Sequence, residues 1–237
     1  MEANAIRALT FDVFGTVVDW RTSIAREGEA VGRRHGVTVD WTAFADAWRG
    51  LYQPMLSKVR NGDMPWTKLD DLHRMALDQV MAQFALKGLT AVEIDDLNRA
   101  WHRLDPWPDS VAGLTRLRRK FILATLSNGN VALLVNMARR AGLPWDAVLG
   151  AEVARTYKPQ PQAYLTTAAL LGLRPDQCML VAAHNGDLAA ARGVGFHTAF
   201  VVRPTEYGPG QKTDLVAEQA WDVVARDFVD LAERLGC

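Results

Sequence analysis

The sequence predicts an α/β protein with a doubly wound parallel sheet, in which a helical subdomain is inserted after the first strand. Short apolar runs alternate with amphipathic segments in the second half of the chain, which is typical of parallel strands joined by helices. Near the N-terminus, the apolar run 6–11 leads into Asp12 and then Gly15, which indicates a buried strand and a turn. A length of 237 residues suits one core domain with a smaller insertion.

The second half of the chain supplies the other strands and their helices. The predicted strands are the apolar runs 121–126, 147–149, 178–183 and 198–202. The predicted helices are the amphipathic segments 109–120, 131–141, 160–171 and 188–192. With the first strand, these elements build one sheet covered on both faces.

The segment from about residue 20 to residue 104 has helical periodicity and no clear strand. Asp40 is expected to cap one helix, and Thr90 with Glu93 has the form of a capping box at the start of another. The predicted organisation is a core of two segments and one helical cap: core 1–18 and 105–237, cap 19–104.

Composition excludes several classes of function. Lys plus Arg equals Asp plus Glu at 27 each, so nucleic acid is not an expected partner. No apolar stretch reaches the length of about 20 residues that spans a bilayer, and the N-terminus lacks the layout of a secretory signal. Cys178 and Cys237 match neither a disulfide nor a metal-site spacing. A cytoplasmic protein is expected.

Polar groups follow several of the predicted strands, where ligands bind in open α/β sheets. They are Asp12 to Thr16 after the first strand, Ser127-Asn128-Gly129, and His184-Asn185-Gly186-Asp187, with Lys158 in the connection before the last group. A carboxylate, a hydroxyl-bearing turn, a lysine and a second carboxylate in this order are able to build a covalent-hydrolysis site. Asp12 is the predicted nucleophile.

These four motifs and their order resemble the haloacid dehalogenase superfamily over nearly the whole chain. Asp12 to Thr16 is similar to the nucleophile loop of that family, Ser127-Asn128 to its second motif, Lys158 to its third and Asp187 to its fourth. The resemblance implies a Rossmann-like core with a cap inserted after the first strand.

Position 14 bears on which branch of the superfamily the chain resembles. Phosphatases of the superfamily carry a second Asp two residues after the nucleophile and use Mg²⁺, whereas this chain has Phe14. The run Asp12 to Trp20 instead resembles the L-2-haloacid dehalogenases, which need no metal and no organic cofactor.

The resemblance implies further roles. Arg49 on a cap helix and Asn128 would receive the halide, and Ser127 with Lys158 and loop amides would hold the substrate carboxylate. Tyr164 matches a family tyrosine after the lysine. The substrate-binding set also includes Val13, Phe14 and Asn185. His184 stands where the family pattern has Asn, and is expected to take over part of the hydrogen bonding around the hydrolytic water.

The mechanism that the resemblance implies has two steps. Asp12 displaces halide from a small 2-haloacid with inversion and forms an ester, which water activated by Asp187 then hydrolyses to a 2-hydroxy acid. The alternatives are a Mg²⁺-dependent phosphatase and a catalytically silent binding protein. The resemblance also suggests a homodimer.

Several candidates have plainer interpretations. Asp187 has the position of a helix N-cap, Lys158 that of a solvated loop lysine, and Arg49 that of the wet face of an amphipathic helix. The remaining histidines fit no catalytic pattern and are expected to be structural: His35, His73, His102 and His197.

Overall fold

The computed structural model describes residues 6–237. Residues 1–5, which belong to the expected core segment and to the N-terminus compared with a secretory signal, lie outside the described part. The strands in chain order are β1 (Ala8–Phe11), β2 (Val18–Asp19), β3 (Asp105–Pro106), β4 (Ile122–Ser127), β5 (Ala147–Gly150), β6 (Cys178–Ala182), β7 (His197–Val201) and β8 (Val223–Ala225).

The core is a parallel sheet in the order β5-β4-β1-β6-β7-β8. Strand β1 is central, with Phe11 in register with Thr125 on one side and Val181 on the other. All four residues of β1 are fully buried, which explains its uninterrupted apolar character. Strands β4 and β5 lie on one side of β1, and β6, β7 and β8 lie on the other. The strand order therefore reverses at β1, and its carboxyl end is a topological switch point, where α/β proteins commonly bind ligands.

Helices cover both faces of this sheet, and the predicted fold class is confirmed. The core helices are α6 (Ser110–Leu117), α7 (Val131–Ala141), α8 (Ala151–Ala154), α9 (Pro161–Leu170), α10 (Asn185–Gly193) and α11 (Phe228–Arg234), with a 3₁₀ turn at Pro175–Gln177.

The chain between β2 and β3 forms helices and no strand. They are α1 (Trp20–His35), α2 (Trp41–Gly50), α3 (Tyr52–Arg60), α4 (Leu69–Gln83) and α5 (Ala91–Asn98), followed by a 3₁₀ helix at Arg99–Arg103. The Asp40 side chain accepts from Ala43 N at 2.9 Å, and Thr90 with Glu93 forms a capping box, as predicted. Strands β2 and β3 pair antiparallel, which brings together the two points at which the chain enters and leaves this helical cap.

An aromatic cluster joins the cap to the core. The rings of Trp20 and Trp48 lie 6.4 and 5.4 Å from that of Trp101, and all three side chains are almost fully buried. Phe14, from the loop after β1, packs edge-on against Trp101 with ring centroids 6.0 Å apart. Because buried aromatic rings contribute large apolar contacts, this cluster holds the cap over the end of β1.

Several details differ from the sequence prediction. Helix α10 begins at Asn185 with His184 as its N-cap, so Asp187 lies in the first turn and is not the N-cap. Strands β2, β3 and β8 and helices α8 and α11 were not predicted. Within residues 6–237, no helix combines the length and the apolar character required to cross a membrane.

Candidate active site

Asp12 lies directly beyond the carboxyl end of β1 and is 7% exposed. Its two carboxylate oxygens have different partners. Oδ1 accepts from Lys158 Nζ at 2.9 Å, whereas Oδ2 accepts from Thr16 Oγ1 at 2.7 Å and lies 3.0 Å from His184 Nδ1. The nucleophile predicted from the sequence is therefore fixed in orientation by three side chains from separate parts of the chain.

Lys158 links the two carboxylates of the site. Its ammonium also contacts Asp187 Oδ2, and Asp187 Oδ1 accepts from the Tyr164 hydroxyl at 2.6 Å. Lys158 is 7% exposed, so the interpretation as a solvated loop lysine is wrong. The structure thus brings the nucleophile, the lysine, the second carboxylate and the tyrosine into one network.

The charges of this network stabilise one another. Burial alone would raise the pKa of Asp12, but Lys158 and His184 outweigh it and hold that pKa well below its usual value. Burial opposes the charge of Lys158 in the same way, yet the carboxylates of Asp12 and Asp187 raise its pKa above its usual value. Asp12 is consequently an anion at neutral pH, as a nucleophile must be.

Thr16 connects the loop after β1 to the loop after β6. Its hydroxyl donates to Asp12 Oδ2 and accepts from the backbone N–H of Ala183 at 2.9 Å. Arg203 secures the same loop, because its Nε donates to the Thr16 carbonyl at 2.9 Å while its two Nη atoms hold Asp109. Residues that follow β6 and β7 therefore fix the geometry of the turn around the nucleophile.

A cavity of about 470 Å³ opens beside Asp12, between the core and the cap. The core supplies Phe14, Asn128, Lys158, Tyr164 and Asp187 among its lining residues, and the cap supplies Arg49, Tyr52, Gln53 and Arg60. Its size suits a small molecule rather than a polymer. A cation on the cap and an anion on the core thus line the same cavity.

Arg49 is held by aromatic contacts. Its guanidinium carbon lies 4.1 Å from the centre of the Tyr52 ring and 5.4 Å from that of Trp20. Nη1 is buried and has no hydrogen-bond partner among residues 6–237. Arg49 therefore does not lie on the wet face of its helix, and a buried guanidinium donor without a partner is suited to an anion.

Asn128 lines the cavity with both polar ends of its side chain engaged. Its Nδ2 donates to the Tyr52 hydroxyl at 3.0 Å, and its Oδ1 accepts from the backbone N–H of Lys158 at 2.9 Å. These bonds connect the second motif to the cap and to the lysine loop.

Three predicted binding residues have no side chain in the cavity lining. Val13 is fully buried, and Ser127 is also fully buried with its Oγ accepting from Gly129 N at 3.0 Å. The Asn185 side chain faces the segment 214–221 and bonds to Asp214, Val216, Glu218 and Trp221. A role of Asn185 in binding substrate does not fit this placement, because all its polar atoms are used in holding that segment.

His184 lies in the site, but its partners differ from those expected. Nδ1 faces Asp12 and Nε2 lies 2.9 Å from Glu206 Oε2, so both nitrogens contact carboxylates. Burial acts against its charge, yet Glu206 and Asp12 raise its pKa well above the usual value. A protonated imidazole has no free lone pair, so His184 is a donor and not a partner of Asp187 in deprotonating water.

Glu206 and Tyr52 were missed by the sequence analysis. Glu206 lies in the loop after β7, is 1% exposed and also accepts from Trp20 Nε1 at 3.1 Å. No local pattern marks it, since its partners His184 and Trp20 lie 22 and 186 positions away in the chain. Tyr52 lies three positions after Arg49 in the cap, and the sequence analysis assigned it no role.

Three of the other histidines also have identifiable surroundings. His35 pairs with Glu93 and His102 with Asp70, both within the cap. His73 stacks on Trp101 with ring centroids 4.3 Å apart, and burial lowers its pKa to about 3. None of the three lines the cavity.

The residues do not fit a magnesium ion. Lys158 already bridges Asp12 and Asp187, and Phe14 supplies a ring where a further carboxylate would be needed. Mg²⁺ requires several oxygen ligands in octahedral geometry. In the described part of the chain there is also no group of three or more His, Cys, Asp or Glu side chains arranged to hold a metal.

A family model for haloacid dehalogenase-like hydrolases matches residues 6–195, and the chain belongs to that family. The resemblance inferred from the motifs is thereby confirmed. The crystal structure of the defluorinating L-2-haloacid dehalogenase Rha0230 superposes with a TM-score of 0.96 at 50% identity, covering 98% of this chain and 96% of that one.

Two further relatives have similar names. The structure of the L-2-haloacid dehalogenase PA0810 has a TM-score of 0.94 and 49% identity, covering 98% of this chain and 99% of that one. The (S)-2-haloacid dehalogenase 4A of Burkholderia cepacia is 28% identical over 97% of this chain and 99% of its own length.

Proposed function

We propose that this enzyme hydrolyses the carbon–halogen bond of a small (S)-2-haloacid and yields a 2-hydroxy acid and halide. The observation that carries the proposal is the pairing of Asp12 with Arg49 across one cavity. The anionic Asp12 carboxylate faces the cavity from the core. On the cap side, Arg49 lines the same cavity, and its buried Nη1 has no hydrogen-bond partner in the described part of the chain. A nucleophile and an anion acceptor on opposite walls suit displacement of a halide. The names of three relatives support the same chemistry.

In the first step, Asp12 attacks the α-carbon and halide leaves toward Arg49. Oδ1 is the attacking oxygen in this proposal, since it accepts from one donor and Oδ2 from two. Chloride and bromide are conjugate bases of strong acids, so they leave without a proton and need no Asp at position 14. The third N–H of Lys158, not used by Asp12 or Asp187, is available for the substrate carboxylate.

In the second step, Asp187 is the base that activates water against the ester on Asp12. Tyr164 and Lys158 hold its two oxygens, which fixes the direction of the carboxylate. The product is a 2-hydroxy acid whose new hydroxyl oxygen comes from Asp12. The homodimer and the cytoplasmic location remain predictions of the family resemblance.

A halide-release assay tests the proposal. The enzyme is incubated with chloroacetate, with each enantiomer of 2-chloropropionate and with p-nitrophenyl phosphate, in the presence and absence of Mg²⁺. Fluoroacetate is included because one relative at 50% identity is named as defluorinating. We expect chloride from chloroacetate and from (S)-2-chloropropionate, and no phosphate release. Phosphate release that requires Mg²⁺, without halide release, would establish the phosphatase alternative, and inactivity toward every substrate would support a binding role. Asp12→Asn is the matched inactive control.

A further inference from the structure

Three side chains form a continuous chain at the edge of the active site: Asp12 and Glu206, which are buried, and His184, whose side chain is 20% exposed. His184 Nδ1 lies 3.0 Å from Asp12 Oδ2, and His184 Nε2 lies 2.9 Å from Glu206 Oε2. Trp20 Nε1 donates to the other Glu206 oxygen at 3.1 Å, which anchors that carboxylate to the cap. Glu206 is 1% exposed, so its charge is buried and requires the hydrogen-bond partners that surround it.

The geometry determines the protonation of His184. A neutral imidazole has one N–H and one lone pair, so one of its nitrogens would direct a lone pair at a carboxylate. The imidazolium instead donates from both nitrogens, one to Asp12 and one to Glu206. The pKa of His184, which burial alone would lower, is raised well above its usual value by these two carboxylates.

The position of Nδ1 assigns a task to this cation. If Oδ1 of Asp12 carries the substrate, Oδ2 becomes the carbonyl oxygen of the ester. Water attack forms a bond from its oxygen to Cγ, moves the carbonyl π electrons onto Oδ2 and passes one proton to Asp187. Collapse restores the carbonyl, breaks the Cγ–Oδ1 bond and returns the proton from Asp187 to the departing hydroxyl oxygen. The second proton of the water, which stays on the new oxygen of Asp12, is then lost to solvent and the carboxylate is restored. Thr16 and His184 are the donors at Oδ2, where the negative charge develops.

Glu206 matters most after the ester has formed. In the free enzyme, two carboxylates stabilise the imidazolium, but alkylation removes the charge of Asp12. Glu206 is then the carboxylate that still contacts His184.

We propose that Glu206 is a positioning residue that keeps His184 protonated and directed at Asp12 Oδ2 during hydrolysis of the ester. The inference rests on the proposed aspartyl-ester function. Under this proposal, Glu206 and His184 act in ester hydrolysis, which releases the product, and are not required for cleavage of the carbon–halogen bond.

The test is Glu206→Gln, which keeps the size and an acceptor for Trp20 but removes the charge. Chemical-quench measurements give halide release in the first turnover, and intact-protein mass gives the covalent adduct. We expect one equivalent of halide at near wild-type rate, an accumulated adduct on Asp12, and steady turnover lower by about 100-fold, the usual effect of losing one oxyanion donor. Glu218→Gln, which removes an exposed carboxylate in a nearby segment, should behave like the wild type.

A pH profile separates this role from a structural one. The ionisable groups around His184 and its partners are Asp12, Glu206, Lys158, Arg49 and Tyr207. In the ester intermediate Glu206 alone supports the charge of His184, so the pKa of His184 there lies below that of the free enzyme. The charge is present below that pKa and lost above it, so ester hydrolysis should slow as the pH rises through it. In Glu206→Gln, the slowing should begin at lower pH.

Equal losses of first-turnover halide and steady turnover without an adduct, or a wild-type rate and pH profile, would overturn the proposal. If Glu206→Gln does not fold, His184→Phe, which keeps a ring but removes both N–H donors, provides the second variant, with the same expected adduct accumulation and the same contrary outcomes. Failure of the proposed function has a different signature, because the wild-type enzyme itself would then release no halide and form no adduct.

Discussion

Lys158 Nζ lies 2.9 Å from Asp12 Oδ1 and simultaneously contacts Asp187, so one ammonium bridges both carboxylates of the site. In a Mg²⁺-dependent hydrolase, a divalent cation would bridge such carboxylates. Here the side chain of the lysine occupies that place, and Phe14 supplies no further oxygen ligand. The site is thus arranged for a monoanionic substrate rather than for a highly charged phosphate.

The first prediction follows from this bridge. Halide release should be unaffected by EDTA and by added Mg²⁺, because the charge that a metal would supply already comes from Lys158. Steady halide release from chloroacetate measures it, with a Mg²⁺-dependent phosphatase in the same buffer as the control for chelation. Activity lost on chelation and restored by Mg²⁺ would contradict the assignment of Lys158.

Arg49→Lys is the second prediction. The lysine keeps the charge but lacks the planar guanidinium that stacks on Tyr52 and directs Nη1 inward, so kcat should fall by about 100-fold, the range seen when one charge-stabilising donor is removed. Halide release under saturating substrate measures it. The fold should be retained, which circular dichroism and thermal unfolding would establish.

Arg33→Lys is the matched control, since Arg33 lies on a cap helix and its side chain is 70% exposed. It should have wild-type turnover. Near-normal turnover in a folded Arg49→Lys protein would remove Arg49 from the halide site and leave the cavity without its proposed anion acceptor.

The third prediction concerns the support of the nucleophile loop. Arg203 is buried, binds Asp109 through both Nη atoms and donates to the Thr16 carbonyl. Arg203→Met leaves Asp109 without its partner, so the free energy of unfolding should fall by about 3 kcal/mol. Chemical denaturation measures it. Arg118→Met, which breaks a more exposed pair with Asp146, should lose less than about 1 kcal/mol.

The difference in the free energy of unfolding between wild type and Arg203→Met should depend on pH with a defined sign. Burial would raise the pKa of Asp109, but Arg203 outweighs burial and lowers it. A lowered carboxyl pKa stabilises the fold above the unfolded-state pKa, and the contribution disappears as the pH falls through the folded-state value. The gap between wild type and Arg203→Met should therefore narrow in acid. An unchanged gap would mean that the packing of Arg203, and not its charge, accounts for the loss.

The sequence predicted the site correctly where an apolar strand is followed directly by polar residues. Strands β1 and β6 are buried on both faces, so their apolar runs have no polar interruption and the polar residues beyond them mark the sheet edge. This placed Asp12 and Asp187 correctly. Strand β8 was missed because it is a three-residue edge strand whose Val224 is exposed, which leaves little apolar signal.

Side-chain direction and distant partners were beyond such patterns. Asn185 is adjacent to His184 in sequence, but it begins α10 and its side chain faces the segment 214–221. Glu206 follows no motif, and its contact with Trp20 spans 186 positions of the chain. Only the packing of the cap on the core brings those two residues together.

The last prediction tests whether Asp12 forms an ester. If water attacks the Asp12 carbonyl, the oxygen that enters the product comes from the carboxylate, and the solvent oxygen remains in the enzyme. In a single turnover in H₂¹⁸O with enzyme in excess, the 2-hydroxy acid should be unlabelled. Mass spectrometry of a peptide containing Thr10 to Thr16 should find the heavy isotope on Asp12.

The control and the contrary outcome use the same measurement. Asp12→Asn should form no product, because a neutral amide is a far weaker nucleophile than a carboxylate. If water instead attacked the α-carbon directly, the product would carry ¹⁸O from the first turnover and the peptide would remain light. Asp12 would then be a general base, Oδ2 would never become an ester carbonyl, and the donors Thr16 and His184 would serve only to orient that base.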